Sequence, residues 1–175
     1  MITKNLNQDI IKHNNTSLIF LDFDGVLNSY DEGSYVTNPP ELYGPSKTIC
    51  SKIEKLCQKK SAKIIISSNW RKFNLTDSYK FNTNYYSNPL TKVYDLLGKF
   101  IIGTLPPYRH ITKAEALILW FEETNYQSEN WVIIDDDERE RLGTTSDYNI
   151  KNHYIQTNPK FGITDKVIIE MEKFL

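Results

Sequence analysis

The sequence predicts an α/β fold, a Rossmann-like three-layer sandwich around a mainly parallel five-stranded sheet. Three observations carry that expectation. Short continuous apolar runs bounded by polar turn residues recur along the chain, and segments with helical apolar spacing lie between them. Such alternation predicts parallel strands covered by helices on both faces. Third, clusters of acidic and hydroxyl residues fall at, or just past, the ends of the predicted strands. Open parallel sheets bind their ligands there, beyond the carboxyl ends of the strands.

Taken in order, residues 18–23 (LIFLDF) read as a buried strand. Residues 46–60 place Ile49, Ile53, Leu56 and Cys57 at the spacing of one helix face. Residues 62–67 are a second strand, 90–97 a short helix and 100–103 a third strand. Residues 112–123 form an amphipathic helix with Ala116, Leu119 and Trp120 on one face and Thr112 as N-cap. Residues 131–134 (WVII) are a fourth strand and 153–156 a weaker fifth, and 164–175 close the chain as a helix capped by Thr164. Two irregular stretches, 28–45 and 72–89, are rich in Asn, Ser and Tyr. Each is too short for a domain of ordinary size and reads as a loop or small flap. The expected organisation is an N-terminal extension over residues 1–16 and one domain over 17–175, with no large cap domain.

The 175 residues, 39% of them hydrophobic, suit a single domain with one real core. The balance of 21 basic against 22 acidic residues lacks the basic excess of proteins that grip nucleic acid by its phosphates. Strong nonspecific nucleic-acid binding is therefore not expected, and Lys59-Lys60 and Arg71-Lys72 read as solvated surface. The opening MITKNLNQDIIKHNN lacks the apolar run of a secretory signal. No apolar stretch reaches the roughly 20 residues that span a bilayer. A cytoplasmic protein without a membrane partner is the expectation. Cys50 and Cys57, on one predicted helix, would be separated by about 10.5 Å of rise, too far for a disulfide, so they read as buried thiols. His13, His110 and His153 show no zinc-ligand spacing.

The sharpest signal is Leu21-Asp22-Phe23-Asp24-Gly25-Val26-Leu27, an apolar strand running into two carboxylates and a glycine. Two like charges this close are unfavourable unless a cation or a proton separates them. Magnesium answers that need, because it prefers carboxylate, water and phosphate oxygens. A second buried strand, residues 131–134, ends in Asp135-Asp136-Asp137. Each cluster alone could be a solvated turn. Together they would deliver several acids to one point, which only a cation stabilises. Residues 64–66 end in Ser67-Ser68-Asn69, offering hydroxyls and backbone N–H groups to phosphate oxygens. Lys113 opens the amphipathic helix and Arg109 lies four residues earlier; either cation could neutralise a phosphoryl group.

The order Asp-x-Asp, Ser, Lys, Asp-Asp resembles the four motifs of the haloacid-dehalogenase-like (HAD) hydrolases, over residues 17 to 175. Within that superfamily, LDFDGVLN, IISSNWR, IIGTLP, the stretch 109–120 and WVIIDDD look like the HAD domains of the Swiss Army Knife RNA-repair type. Phe161-Gly162-Ile163-Thr164 looks like their Gly-Leu-Thr element. The resemblance implies a magnesium-dependent phosphatase working through an aspartyl-phosphate. Asp22 would be the nucleophile and Asp24 the acid–base. Magnesium would be held by Asp22, the carbonyl of Asp24 and the Asp135-Asp136 pair, with Asp136 favoured as direct ligand and Asp137 peripheral. Ser67, with Ser68, would hold phosphoryl oxygens, and Lys113, or Arg109 in its place, would bridge phosphate and nucleophile. The implied partners are phosphorylated substrates, extending to nucleic-acid ends.

Two other readings compete. A receiver-type signalling domain uses similar groups, but its lysine comes last, whereas Lys113 precedes the final acidic cluster. An inactive HAD-like domain could instead bind a partner through Tyr30, Tyr35, Tyr43, Tyr79, Tyr85 and Tyr86. Phosphoproteins and small phosphate esters are alternative substrates.

Overall fold

A computed structural model of the chain describes residues 16–29, 44–69, 89–108, 110–138 and 147–175. Strand β1 (Leu18–Leu21) is four apolar residues with no polar face, and it lies fully buried. A strand of that kind is stable only with a neighbour on each edge and a layer on each face. It has both. Parallel partners β2 (Lys63–Ile66) and β4 (Trp131–Asp135) flank it. Strand β3 (Ile101–Thr104) extends the sheet beside β2, and β5 (Tyr154–Gln156) extends it beside β4. The sheet is five-stranded, all parallel, in the order β3-β2-β1-β4-β5.

Alternation along each strand sorts the core into two layers. Ile19, Leu21, Ile64, Ile66, Val132 and Ile134 face one side. There they meet helices α1 (Lys47–Lys60), α2 (Pro89–Leu97) and α4 (Asp165–Met171). Leu18, Phe20, Ile65, Trp131 and Ile133 face the other side, packed against α3 (Lys113–Thr124) and a 3-10 helix (Asp147–His153). Phe20 lies edge-on to Trp120 and Trp131, with ring centroids 5.2 and 5.9 Å away. This is the three-layer arrangement the sequence predicts.

Element ends moved by a few residues, for local reasons. β1 stops at Leu21 because Asp22 Oδ1 captures the Phe23 N–H at 2.8 Å, and Phe23 O then accepts from Val26, Leu27 and Asn28. Ser46 caps α1 from outside the helix, its hydroxyl accepting from Ile49 N. Thr112 does the same for α3 in a reciprocal box with Glu115. On α3 the deep residue is Leu117 rather than Leu119, which is half-buried. Stepping back three and four positions from Trp120 gives Leu117 and Ala116. His153 belongs to the 3-10 helix and not to β5; its ring stacks on Trp131 at 4.0 Å, and Nδ1 lies 2.7 Å from Trp131 O.

Cys50 and Cys57 are free and buried, and burial pushes the Cys57 thiol up to about 12. Lys59 is exposed and pairs with Glu172 at 2.8 Å. Among the described residues there is no cap domain, and no helix is long and apolar enough to cross a membrane. Arg71-Lys72, the tyrosines Tyr30, Tyr35, Tyr43, Tyr79, Tyr85 and Tyr86, and most of both irregular stretches lie outside the described residues.

Trp120 is fully enclosed by Phe20, Phe121 and Tyr126. Trp120→Ala should lower stability by about 3–5 kcal/mol, measured as a fall in the urea unfolding midpoint with an unchanged slope.

Candidate metal and phosphate site

Register places the site. Leu21 pairs with Ile66 on one side and with Ile134 on the other, so the residues that follow, Ser67, Asp22 and Asp135, emerge side by side. Two further hydrogen bonds carry the alignment past the strands: Asp22 N donates to Ile134 O at 3.0 Å, and Ser67 N to Leu21 O at 2.9 Å. Three strands thus present their first polar residues along one carboxyl edge. Asp22, Ser67, Ser68 and Asp135 are all buried.

One carboxylate oxygen from each of Asp22, Asp135 and Asp136 lies within 4.8 Å of the other two. Lys113, the first residue of α3, reaches across the edge: its Nζ donates to Asp22 Oδ2 at 2.8 Å and also to Asp135 Oδ2. The capping box explains why this lysine can reach, since Thr112 and Glu115 fix where the helix begins. The remaining oxygen of Asp135 accepts from Asp137 N at 3.0 Å, while the Asp137 side chain stays exposed. Asp136 is half-buried and leans over the first acidic turn. Gly25, in the left-handed region at φ 65°, lies so close that a Cβ there would stand 2.3 Å from Asp136 Oδ2.

Burial and charge crowding together shift the acidities of the cluster. Burial, then the charge of Asp22, raises the Asp135 carboxyl above its usual range against the pull of Lys113. The same two causes lift Asp136 to about 6. Burial works against the Lys113 ammonium, but Asp22 and Asp135 outweigh it and hold its pKa above the ordinary value. Buried oxygen donors with one cation short of balance fit a hard divalent ion such as magnesium.

The structure therefore brings together Asp22, Asp135, Asp136, Lys113 and Ser67, with Ser68 next in the chain. Asp24 is half-buried beside them and accepts from Asn28 Nδ2 at 3.5 Å; its carboxylate is not part of the 4.8 Å group. Arg109 lies outside the described residues. Sequence alone did not single out Thr157, which touches the backbone of both acidic turns: its hydroxyl donates to Gly25 O at 2.9 Å, and its N–H to Asp135 O at 2.8 Å. The signal was available, because Thr157 is the first polar residue past β5, at the same edge.

Fold and site define an all-parallel α/β domain with a buried aspartate cluster and a lysine at its carboxyl edge. Residues 18–168 match the family described as the HAD domain in Swiss Army Knife RNA repair proteins, and the chain belongs to that family. No curated protein and no solved structure matches it. Membership points to a phosphatase-type hydrolase, and the Asp22, Asp135 and Asp136 cluster is compatible with the divalent metal that HAD domains generally use.

Millimolar magnesium should raise the thermal unfolding midpoint of the wild-type protein, because a ligand bound only by the folded state stabilises it. Asp136→Asn should remove most of that shift, and Asp137→Asn should keep it. Differential scanning fluorimetry with and without the ion reads both.

Proposed function

We propose that the protein is a magnesium-dependent phosphatase that forms an aspartyl-phosphate on Asp22. The observation that supports this most directly is the meeting of three carboxylates and one lysine at the end of the central strand. We take residues 17–175 as the single catalytic domain. A magnesium ion would be held by Asp22, Asp136 and the Asp24 carbonyl, with Asp135 in support; bound there, it supplies positive charge that lets an anionic nucleophile approach an anionic phosphate.

The chain's own residues account for the rest. The Ser67 hydroxyl, with Ser68 beside it, holds a phosphoryl oxygen, and Lys113 neutralises charge between phosphate and Asp22. Asp22 attacks phosphorus, the ester P–O bond breaks, and Asp24 gives its proton to the leaving oxygen. Water then attacks phosphorus, Asp24 takes the water's proton, and the bond to Asp22 breaks. Phosphate leaves, and both aspartates return to their starting states. The two aspartates sit in different settings, as these two roles require: Asp22 is buried against Lys113, while Asp24 is half-buried beside Asn28. Should Lys113 prove dispensable, Arg109 is the alternative cation.

We read the substrate class as terminal phosphates of polynucleotides. The family description supports it, and so does one local feature. Tyr108 and His110 stack at 6.0 Å on the segment that leads from β3 to Lys113. Aromatic rings a few residues ahead of Lys113 suit a terminal base, which every nucleotide can offer for stacking.

Wild-type protein with magnesium should release phosphate from p-nitrophenyl phosphate, and Asp22→Asn should lower kcat by about 10³-fold or more. Equal inactivity of both proteins across aryl phosphates, phosphopeptides and oligonucleotides bearing 3′ or 5′ phosphates would overturn the enzymatic reading in favour of a partner-binding domain. Lys113→Met should lower kcat about 10²–10³-fold, the scale for losing one preorganised charge partner of the transferring group.

A further inference from the structure

We propose that Thr157 and the turn it begins, residues 157–163, are a brace that fixes the spacing between the Asp22–Gly25 turn and the Asp135-Asp136 pair; this rests on the phosphatase reading above. The need for such a brace is physical. Strand pairing holds Asp22 beside Asp135, but the chain past each strand end is free to part under like-charge repulsion. At Gly25 and Asp136 the two turns already touch so closely that no Cβ fits between them. Small slips there change the distance between the groups that would meet phosphorus, and misplacement of about 1 Å can lower rates about 10²-fold.

Thr157 spans both turns. It is 2% exposed. Its N–H donates to Asp135 O at 2.8 Å, and its hydroxyl lies 2.9 Å from Gly25 O and 3.3 Å from Asp135 O, so one proton serves the carbonyls of both acidic turns. The far end of the same turn grips the next carbonyl of the first motif: Ile163 N donates to Val26 O at 3.1 Å. Phe161 N and Gly162 N both donate to Asn158 O and close the turn. Gly162 sits at φ 60°, where a Cβ would stand 2.6 Å from Val26 O. That close approach is a physical reason for glycine within Phe161-Gly162-Ile163-Thr164. Two successive carbonyls, those of Gly25 and Val26, are thus tied to one short segment that is also tied to Asp135. Thr157 itself lies behind the acids and reaches them only through backbone, so it is a positioning residue and not a catalytic one.

Thr157→Val keeps the shape and removes the hydroxyl, and Thr157→Ser keeps the hydroxyl. Magnesium affinity by isothermal titration calorimetry should fall about tenfold in the valine variant, on the scale seen when groups that orient metal ligands are lost. Its kcat on p-nitrophenyl phosphate should fall at least about tenfold with KM within about twofold. Serine should restore both. Hydrogen exchange at the Val26, Leu27 and Asn28 amides reads the brace without reference to activity and should speed up in the valine variant. Unchanged exchange and magnesium affinity in that variant would overturn the proposal, as would a serine variant as impaired as valine. Wild-type protein that neither binds magnesium nor releases phosphate would instead sink the phosphatase reading, and exchange would still decide the brace. Thr157→Ala is read in the same way should the valine variant not fold.

Discussion

Three carboxylates packed within 4.8 Å of one another set the terms for the whole domain. At that separation each ionised pair repels by on the order of 3 kcal/mol with an effective dielectric near 20, a sizeable fraction of the roughly 5–15 kcal/mol that keeps a domain folded. The arrangement persists because the rest of the chain is committed to it. Sheet hydrogen bonds hold the backbones of β1 and β4 in register, and Lys113 places one ammonium between Asp22 and Asp135. The residual excess of negative charge suits a divalent cation, which prefers carboxylate oxygens.

Local rules and global architecture agree along this path. The capping box of Thr112 and Glu115 starts α3 at Lys113, so the helix that buries Ala116, Leu117 and Trp120 against the sheet also aims its first cation at the acids. The strand that packs Phe20 edge-on to Trp120 and Trp131 runs directly into Asp22. Core packing therefore decides the position of the site. Loosening the aromatic cluster around Phe20 would be felt two residues further along the chain, at Asp22.

Much of this could be read from residues alone, and the reasons differ by element. β1 and β4 were plain because uninterrupted apolar runs ending in acids have few other readings. Ser67 and Lys113 were weaker, since a serine after a strand or a lysine in a first helical turn is ordinary; only register shows them beside Asp22. The strand end before Phe23 is hidden in the sequence because an apolar side chain can stay buried after its backbone has left the sheet. The 3-10 helix before β5 carries no strong periodicity, so the sequence alone places His153 in the strand it precedes. Thr157 shows in the sequence only as the first polar residue past β5, because its contacts are to carbonyls, which have no identity in a sequence.

The strand order has a consequence for how the protein is made. Among the described residues β1 precedes every other strand, yet its neighbour β4 pairs Trp131 with Leu18 across most of the chain. Such distant pairing forms slowly, because a long loop must close before any contact rewards it. On a ribosome, Asp22 would emerge early and wait beside β2 with no acid opposite it. Pairing of β1 with β4 therefore waits until residues 131–135 have been made, and the Asp22, Asp135 and Asp136 cluster can form only then.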